Sequence, residues 1–347
     1  IRYDIVEEGD RHGVVIHVRE RKWGPNYLQG GLDWATDMNG ESVFNLGFAY
    51  TRTLINELNG ELRIAGQIGD DPALSIDIYQ PLDPGQRWYV GGALGLGSFN
   101  SSIFARDSEL AEFRVKQRTA SVFAGRNLGD WGSMRLILRR DIGNTDLRIG
   151  DPTTFTDYDF DLGRVQALLL ADNLDSLNFP RQGQLLGIEW SGAREGLGSD
   201  SEFDQVELLA GIPYTWGRNT VIVGAAYKTT LDDDAPFEAL FRAGGFLRLS
   251  GFQTDQLAGQ HYGQASVLYY RKVNDFSFLP VYLGASLEGG NVWQRESAIF
   301  DDVIMAGSAF VGLDTPIGPM FLAYGVADGG HQSFYLTLGK PVLIQRR

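Results

Sequence analysis

Between residues 28 and 340, apolar and polar side chains alternate one for one through about sixteen short segments, each closed by a Gly, Pro, Asn or Asp turn. Alternation of this period places one row of side chains on each face of a strand. Phe44, Leu46, Phe48 and Tyr50 alternate with Asn45, Gly47, Ala49 and Thr51. Val281, Leu283, Ala285 and Leu287 alternate with Tyr282, Gly284, Ser286 and Glu288, and Phe334, Leu336 and Leu338 flank Tyr335 and Thr337. So many two-faced strands exceed what an open soluble sheet ordinarily holds. A cylinder with lipid outside and water inside uses both faces, so the expected fold is all-β, a 16-stranded antiparallel transmembrane β-barrel.

The bulk properties agree once the alternation is recognised. The 347 residues supply about twenty per strand and connection, and a membrane strand needs only about 9 to 11. A mean hydropathy of -0.16 reads as soluble, because a barrel spreads its apolar residues over every second position. No run of about 18 apolar residues is present to form a helical span. The net charge of -14, with no basic stripe to displace counterions, excludes nucleic acid as a partner.

Chemistry in the chain itself is not expected. The absence of cysteine removes disulfides, thiol catalysis and Cys-based zinc sites. His12, His17, His261 and His331 are scattered without the spacing of a triad or a metal site, so no catalytic residue, metal or cofactor is assigned. Gly95-Leu96-Gly97-Ser98-Phe99 and Gly284-Ala285-Ser286-Leu287-Glu288 both lack the Gly-x-Ser-x-Gly pattern of a nucleophile elbow.

Residues 1–26 differ from the rest. A turn at Glu8-Gly9-Asp10, a strand over 13–20 with Val14, Ile16 and Val18 on one side, and a stop at Trp23-Gly24-Pro25-Asn26 predict a hairpin, only marginally stable by itself. Because Ile1 opens without a leader pattern, the chain reads as a piece of a longer polypeptide. The barrel is expected over 27–347. Its connections alternate in length: tight at 57–60, 82–87, 129–133, 178–183, 216–219 and 315–319, often longer at 100–112, 143–159, 193–202 and 231–261. Short periplasmic turns and long outer loops have that asymmetry. Trp88, Trp131 and Trp216 at the short-turn ends, and Trp293 at the other, are expected at headgroup level.

The connection 231–261 carries the functional expectation. After Asp232-Asp233-Asp234 it runs Phe237-Glu238-Ala239-Leu240-Phe241-Arg242-Ala243-Gly244-Gly245-Phe246-Leu247-Arg248-Leu249-Ser250-Gly251-Phe252. Connections this long are commonly functional, and its large apolar residues favour folding inward to the lumen.

Here the chain resembles the outer-membrane assembly and secretion barrels that include BamA, TamA and the two-partner secretion transporters. In that superfamily an inward-folded loop ends in an Arg-Gly-aromatic tip that docks on an acidic residue of an aromatic-x-Asp-x-Gly strand. The matching positions are Leu249-Ser250-Gly251-Phe252 and Ser286-Leu287-Glu288-Gly289-Gly290. Ser250 stands at the usual arginine position, Arg248 lies two residues earlier, and Glu288 replaces Asp. The expectation is that Arg248 reaches Glu288, since a guanidinium in a lumen calls for a carboxylate and a forked pair adds geometric specificity. Alternation separately places Glu288 inward with Ser286.

The segments 172–183 and 23–27 resemble the family's turn before its ninth strand and its junction with a POTRA domain. The Leu-Ser-Gly-Phe tip is most like the branch in which a patatin-like phospholipase precedes one POTRA domain and the barrel. That resemblance implies that 1–26 is the C-terminal remnant of a POTRA domain, and that the barrel is an outer-membrane translocator and anchor. Its N-terminal lipase passenger and the rest of the POTRA domain would lie in cis, outside this chain; an assembly or insertion factor of the same superfamily is the alternative. The implied partners are outer-membrane lipids and the barrel assembly machinery, which would read the last strand. Exposed glycine and aromatic faces also permit a homodimer. Residues 28–38 should meet 332–340 at a seam with Gly30, Gly31 and Gly339; glycine weakens strands, and the resemblance implies opening there. Easing of barrel curvature accounts for those glycines equally well.

Overall fold

In a computed structural model the described residues are 2–8, 11–17, 24–37, 42–105, 108–274 and 279–339. Strands β1 (Arg2–Glu8) and β2 (Arg11–His17) form an antiparallel hairpin of their own. The expected turn residues Gly9 and Asp10, with Val18, Trp23, Met38 and the segment 340–347, lie outside the described residues. Along the chain follow β3 (Asn26–Thr36), β4 (Ser42–Arg52), β5 (Glu61–Gly69), β6 (Ala73–Pro81), β7 (Trp88–Ala105), β8 (Ser108–Asn127), β9 (Gly132–Ile149) and β10 (Tyr158–Asp172). Then come β11 (Leu185–Ala193), β12 (Phe203–Trp216), β13 (Asn219–Leu231), the short β14 (Phe241–Ala243) and β15 (Leu257–Gly259), β16 (His261–Lys272), β17 (Val281–Trp293), β18 (Ile304–Thr315), β19 (Gly318–Ala327) and β20 (His331–Leu338). All from β3 to β20 except β14 and β15 close into one antiparallel barrel of sixteen strands, in which chain neighbours are sheet neighbours.

Closure pairs strand backbone around the wall, as hydrocarbon requires, most thinly where β3 meets β20. The alternation resolves as the sequence implies: Leu287 is 68% exposed on the outside, while its neighbours Ser286 and Glu288 are buried inside. Phe44, Leu46, Phe48, Leu136, Leu138 and Leu322 are likewise exposed outward. Such a continuous apolar exterior is stable only against lipid. Among the described residues no helix is long and apolar enough to cross a membrane.

The wall is uneven. Strands β5 and β6 have 9 residues each, whereas β7, β8 and β9 have 18, 20 and 18. This corrects the expected loops at 100–112 and 143–159. Pairing continues to Ala105↔Ser108 and, across a bulge, to Glu112↔Ile149, because polar cross-strand pairs such as Arg114 with Asn100 and Lys116 with Asp146 sustain the ladder above the apolar band. Trp88, Trp131 and Trp216 are exposed at the short-turn end. Trp293 is not an interfacial ring: it is buried, donates Nε1–H to the Asp301 carbonyl at 2.8 Å and packs edge-on to Phe300. Leu338, expected outward beside Phe334, is also buried, in register with Met320 and Trp34 at the closure.

Candidate functional site

Residues 232–260 cross the bore, with a foot on one wall and a tip on the other. At the foot, Ala235 and Gln260 exchange hydrogen bonds at 3.0 and 2.9 Å, and Gln205 of β12 donates to the Ala239 carbonyl at 2.9 Å. Ala235 packs with Val115, Phe160, Leu162, Ala193 and Phe203 on β8 to β12, and Phe237 lies 6.0 Å from Phe113. Arg242 sits over the Phe237 ring and donates to the Ser102 carbonyl of β7 at 2.9 Å. Glu238 accepts from the Tyr158 hydroxyl at 3.1 Å; burial raises its carboxyl above the ordinary range, with that hydrogen bond opposing.

The β14–β15 ladder brings the chain to a tight tip. Gly244 and Gly245 have φ of 109° and 104°, and Leu247 and Leu249 also sit at positive φ, a conformation costing a leucine on the order of 1 kcal/mol. What holds them is the far wall. Phe246 packs among Phe310, Phe321 and Tyr335, at centroid distances of 5.5, 5.4 and 6.1 Å. Ser250 is fully buried: its amide donates to Glu288 Oε2 at 2.9 Å, and its hydroxyl donates to Oε1 at 2.7 Å while accepting from the Leu247 amide. Ser286 donates to the same Oε1 at 2.6 Å and hydrogen-bonds Ser308. The Tyr335 hydroxyl accepts from the Gly251 amide at 2.7 Å and donates to the Phe252 carbonyl at 2.6 Å, and Phe252 stacks on His331.

The expected Arg248–Glu288 pair is not formed. Arg248 pairs with Asp255 at 3.1 Å and donates to the Arg242 carbonyl, so it braces the tip from within. Ser250 needs only a short hydroxyl because its own amide reaches the longer Glu288. Two glycines set the approach. A Cβ on Gly251 would lie 2.7 Å from backbone atoms of Val326 and Ala327, and one on Gly325 of β19 would lie 2.7 Å from the Gly251 amide nitrogen. Gly290 acts between strands instead, where a Cβ would fall 2.2 Å from the Gly263 carbonyl.

At the seam, β3 and β20 share three register pairs among the described residues, against eight between β19 and β20. Gly339, at φ 94°, presses on the Leu32 carbonyl, where a Cβ would sit at 2.1 Å. Gly30 and Gly31 face open space. Phe179 was not singled out from sequence. It rises from the short-turn end into the bore, stacks on Tyr282 at 4.0 Å, and meets Phe321 at 5.2 Å, the ring that Phe246 also meets. Asn178 bonds Asp314, and Tyr270 donates to the Pro180 carbonyl. Its signal was a phenylalanine isolated in an otherwise polar turn.

Residues 58–341 match the Omp85 superfamily domain. The fold is similar to BamA from Haemophilus ducreyi lacking POTRA domains 1-3, with TM-score 0.75, 14% identity, and coverage of 97% of this chain and 74% of that one. It is also similar to CdiB from Escherichia coli (TM-score 0.67, 13% identity, 97% and 67% covered) and to CdiB from Acinetobacter baumannii (0.57, 10%, 90% and 59%). No curated protein matches the sequence.

Proposed function

The chain belongs to the Omp85 superfamily, a barrel of the bacterial outer membrane, and from that premise we propose that it is a translocator and membrane anchor for an N-terminal patatin-like lipase. In this reading that passenger, and the rest of the POTRA domain of which β1 and β2 are the end, lie in cis outside this chain. The carrying observation is the crossbar: a loop footed on β7 to β12 and clasped at Glu288 of β17 lies across the bore, and in this reading the bore is freed when the clasp parts. Arg248, Ser250, Gly251, Phe252 and Glu288 set the tip, Gly290 lets β17 lie close against β16 beside it, and Gly30, Gly31 and Gly339 mark a seam that opens to admit chain. The barrel itself carries out no catalysis.

Planar-bilayer conductance tests the crossbar. Glu288→Ala should give larger, noisier openings than the parent while the folded barrel keeps its heat-modifiable migration; identical traces would mean that the loop does not plug the bore. An assembly or insertion factor is the second reading, favoured by the TM-score of 0.75 to BamA as a fold. Deleting the gene separates them: a dedicated translocator leaves other outer-membrane barrels at parental levels, and an assembly factor depletes them.

A further inference from the structure

The outward face of β8 reads Arg126, Ala124, Val122, Ala120, Arg118, Lys116, Arg114 from the short-turn end upward. Register fixes that face: Phe113 and Val115, of the other parity, are buried inside the bore. Arg126 lies under the exposed Trp88 ring at 5.1 Å and so marks the lower interface. Eight positions up a strand tilted about 40° climb roughly 20 Å, close to the ~25 Å apolar band. Arg118 therefore stands at the upper interface, on the side of the long loops, with Lys116 and Arg114 successively above it.

This ladder runs against the chain's net charge of -14. Arg114 donates to Asn100 at 2.8 Å, a neutral partner. Lys116 meets Asp146 at 2.6 Å, with both side chains largely exposed, and Asp146 keeps a second donor in Asn144. Arg118 is exposed and has no carboxylate partner among the described residues. Directly below, Ala120, Val122 and Ala124 form a low-relief column that an extended acyl chain can lie along.

We propose that Arg114, Lys116 and Arg118 bind the phosphates of a phosphorylated glycolipid of the outer leaflet, its acyl chains lying on the column beneath. Cations about 7 Å apart on one strand face can engage a saccharide bearing two phosphates, and guanidinium groups match phosphate in forked geometry. A free phosphate would use the cations and ignore the column; a lipid uses both.

Native mass spectrometry of the purified barrel in neutral detergent, titrated with lipid A, tests this. The parent should hold lipid A, Arg118→Gln about fivefold more weakly, and Arg114→Gln/Lys116→Gln/Arg118→Gln more than tenfold more weakly. Arg126→Gln, at the other rim, should bind as the parent does. Dephosphorylated lipid A should fail, and inorganic phosphate at equal concentration should not compete. Equal binding by parent and the single Arg118→Gln variant, equal binding of phosphatidylglycerol, or displacement by inorganic phosphate overturns the proposal. Heat-modifiable migration confirms that each variant is folded.

Discussion

Two carboxylates are sunk into the inner wall of the barrel, and they are held by opposite means. Asp141 of β9 and Glu288 of β17 are each 1% exposed. Asp141 is gripped by two guanidiniums, Arg139 on its own strand and Arg164 on β10, with Gln117 and Thr119 of β8 donating at 2.6 Å each. Glu288 has hydroxyls and a backbone amide, two of its three bonds coming from Ser250 of the crossing loop. An ionic node among neighbouring strands stiffens a wall that is already continuous. A neutral-donor node that borrows its donors from a loop can be undone by moving that loop, without parting an ion pair in low dielectric. The contrast ties one carboxylate to the barrel wall and the other to the crossing loop.

The largest effect that could break this contrast is expected at Glu288. Glu288→Ala strands the Ser250 amide and the Ser250 hydroxyl, each costing about 1–3 kcal/mol when left unpaired, while Ser286 keeps Ser308. Amide exchange across 244–256 should accelerate steeply while barrel unfolding changes little. Asp141→Ala should do the reverse: Arg139 and Arg164 lose their shared acceptor, the barrel unfolds more easily by about 3 kcal/mol, and exchange in the loop stays at the parent rate. If both variants loosened the same segment, the division of labour between the two nodes would be wrong.

Gly251→Ala sharpens the gate side without touching either carboxylate. At φ 113°, with backbone of Val326 and Ala327 within 2.7 Å of the added carbon, the tip must lift off β19. Loop exchange should approach that of Glu288→Ala, and the fluorescence or cross-linking signal of a probe at position 252 should report separation from His331. Arg248→Ala should have a smaller effect, about 1 kcal/mol, because its partner Asp255 belongs to the same loop. An Arg248→Ala loop as mobile as that of Glu288→Ala would reinstate a direct pair between them.

Much of this was legible beforehand, and the failures share a cause. Alternation discloses the strands and the inward face of Glu288, because side-chain parity is local, and the large apolar residues of 231–261 disclose its inward turn. Which donor reaches Glu288 was not local. It depends on positive φ at Leu247 and Leu249, which turns Arg248 back toward Asp255 and presents the Ser250 amide instead. Charge matching favoured arginine, but backbone geometry selected serine. Likewise Phe179 is carried into the bore by a turn and Trp293 is covered by a loop, paths that no periodicity encodes, and β7 to β9 outrun the membrane because polar pairs extend a ladder as well as apolar ones do.

The smallest effect lies at the foot, where the loop meets the tall wall through Glu238. Its carboxyl is raised by burial, so the docked foot favours the protonated form more than the free chain does. Its contribution to docking is therefore complete below the ordinary glutamate range and is lost as pH climbs through the raised value. Exchange at 235–240 should quicken modestly with rising pH after correction for intrinsic chemistry, and Glu238→Gln should flatten that dependence while keeping a neutral partner for Tyr158. Exchange across 244–256, followed over the same interval, reports whether the tip moves with the foot. Parallel loosening of foot and tip would mean that the crossbar moves as one rigid piece, with its two ends coupled across the bore.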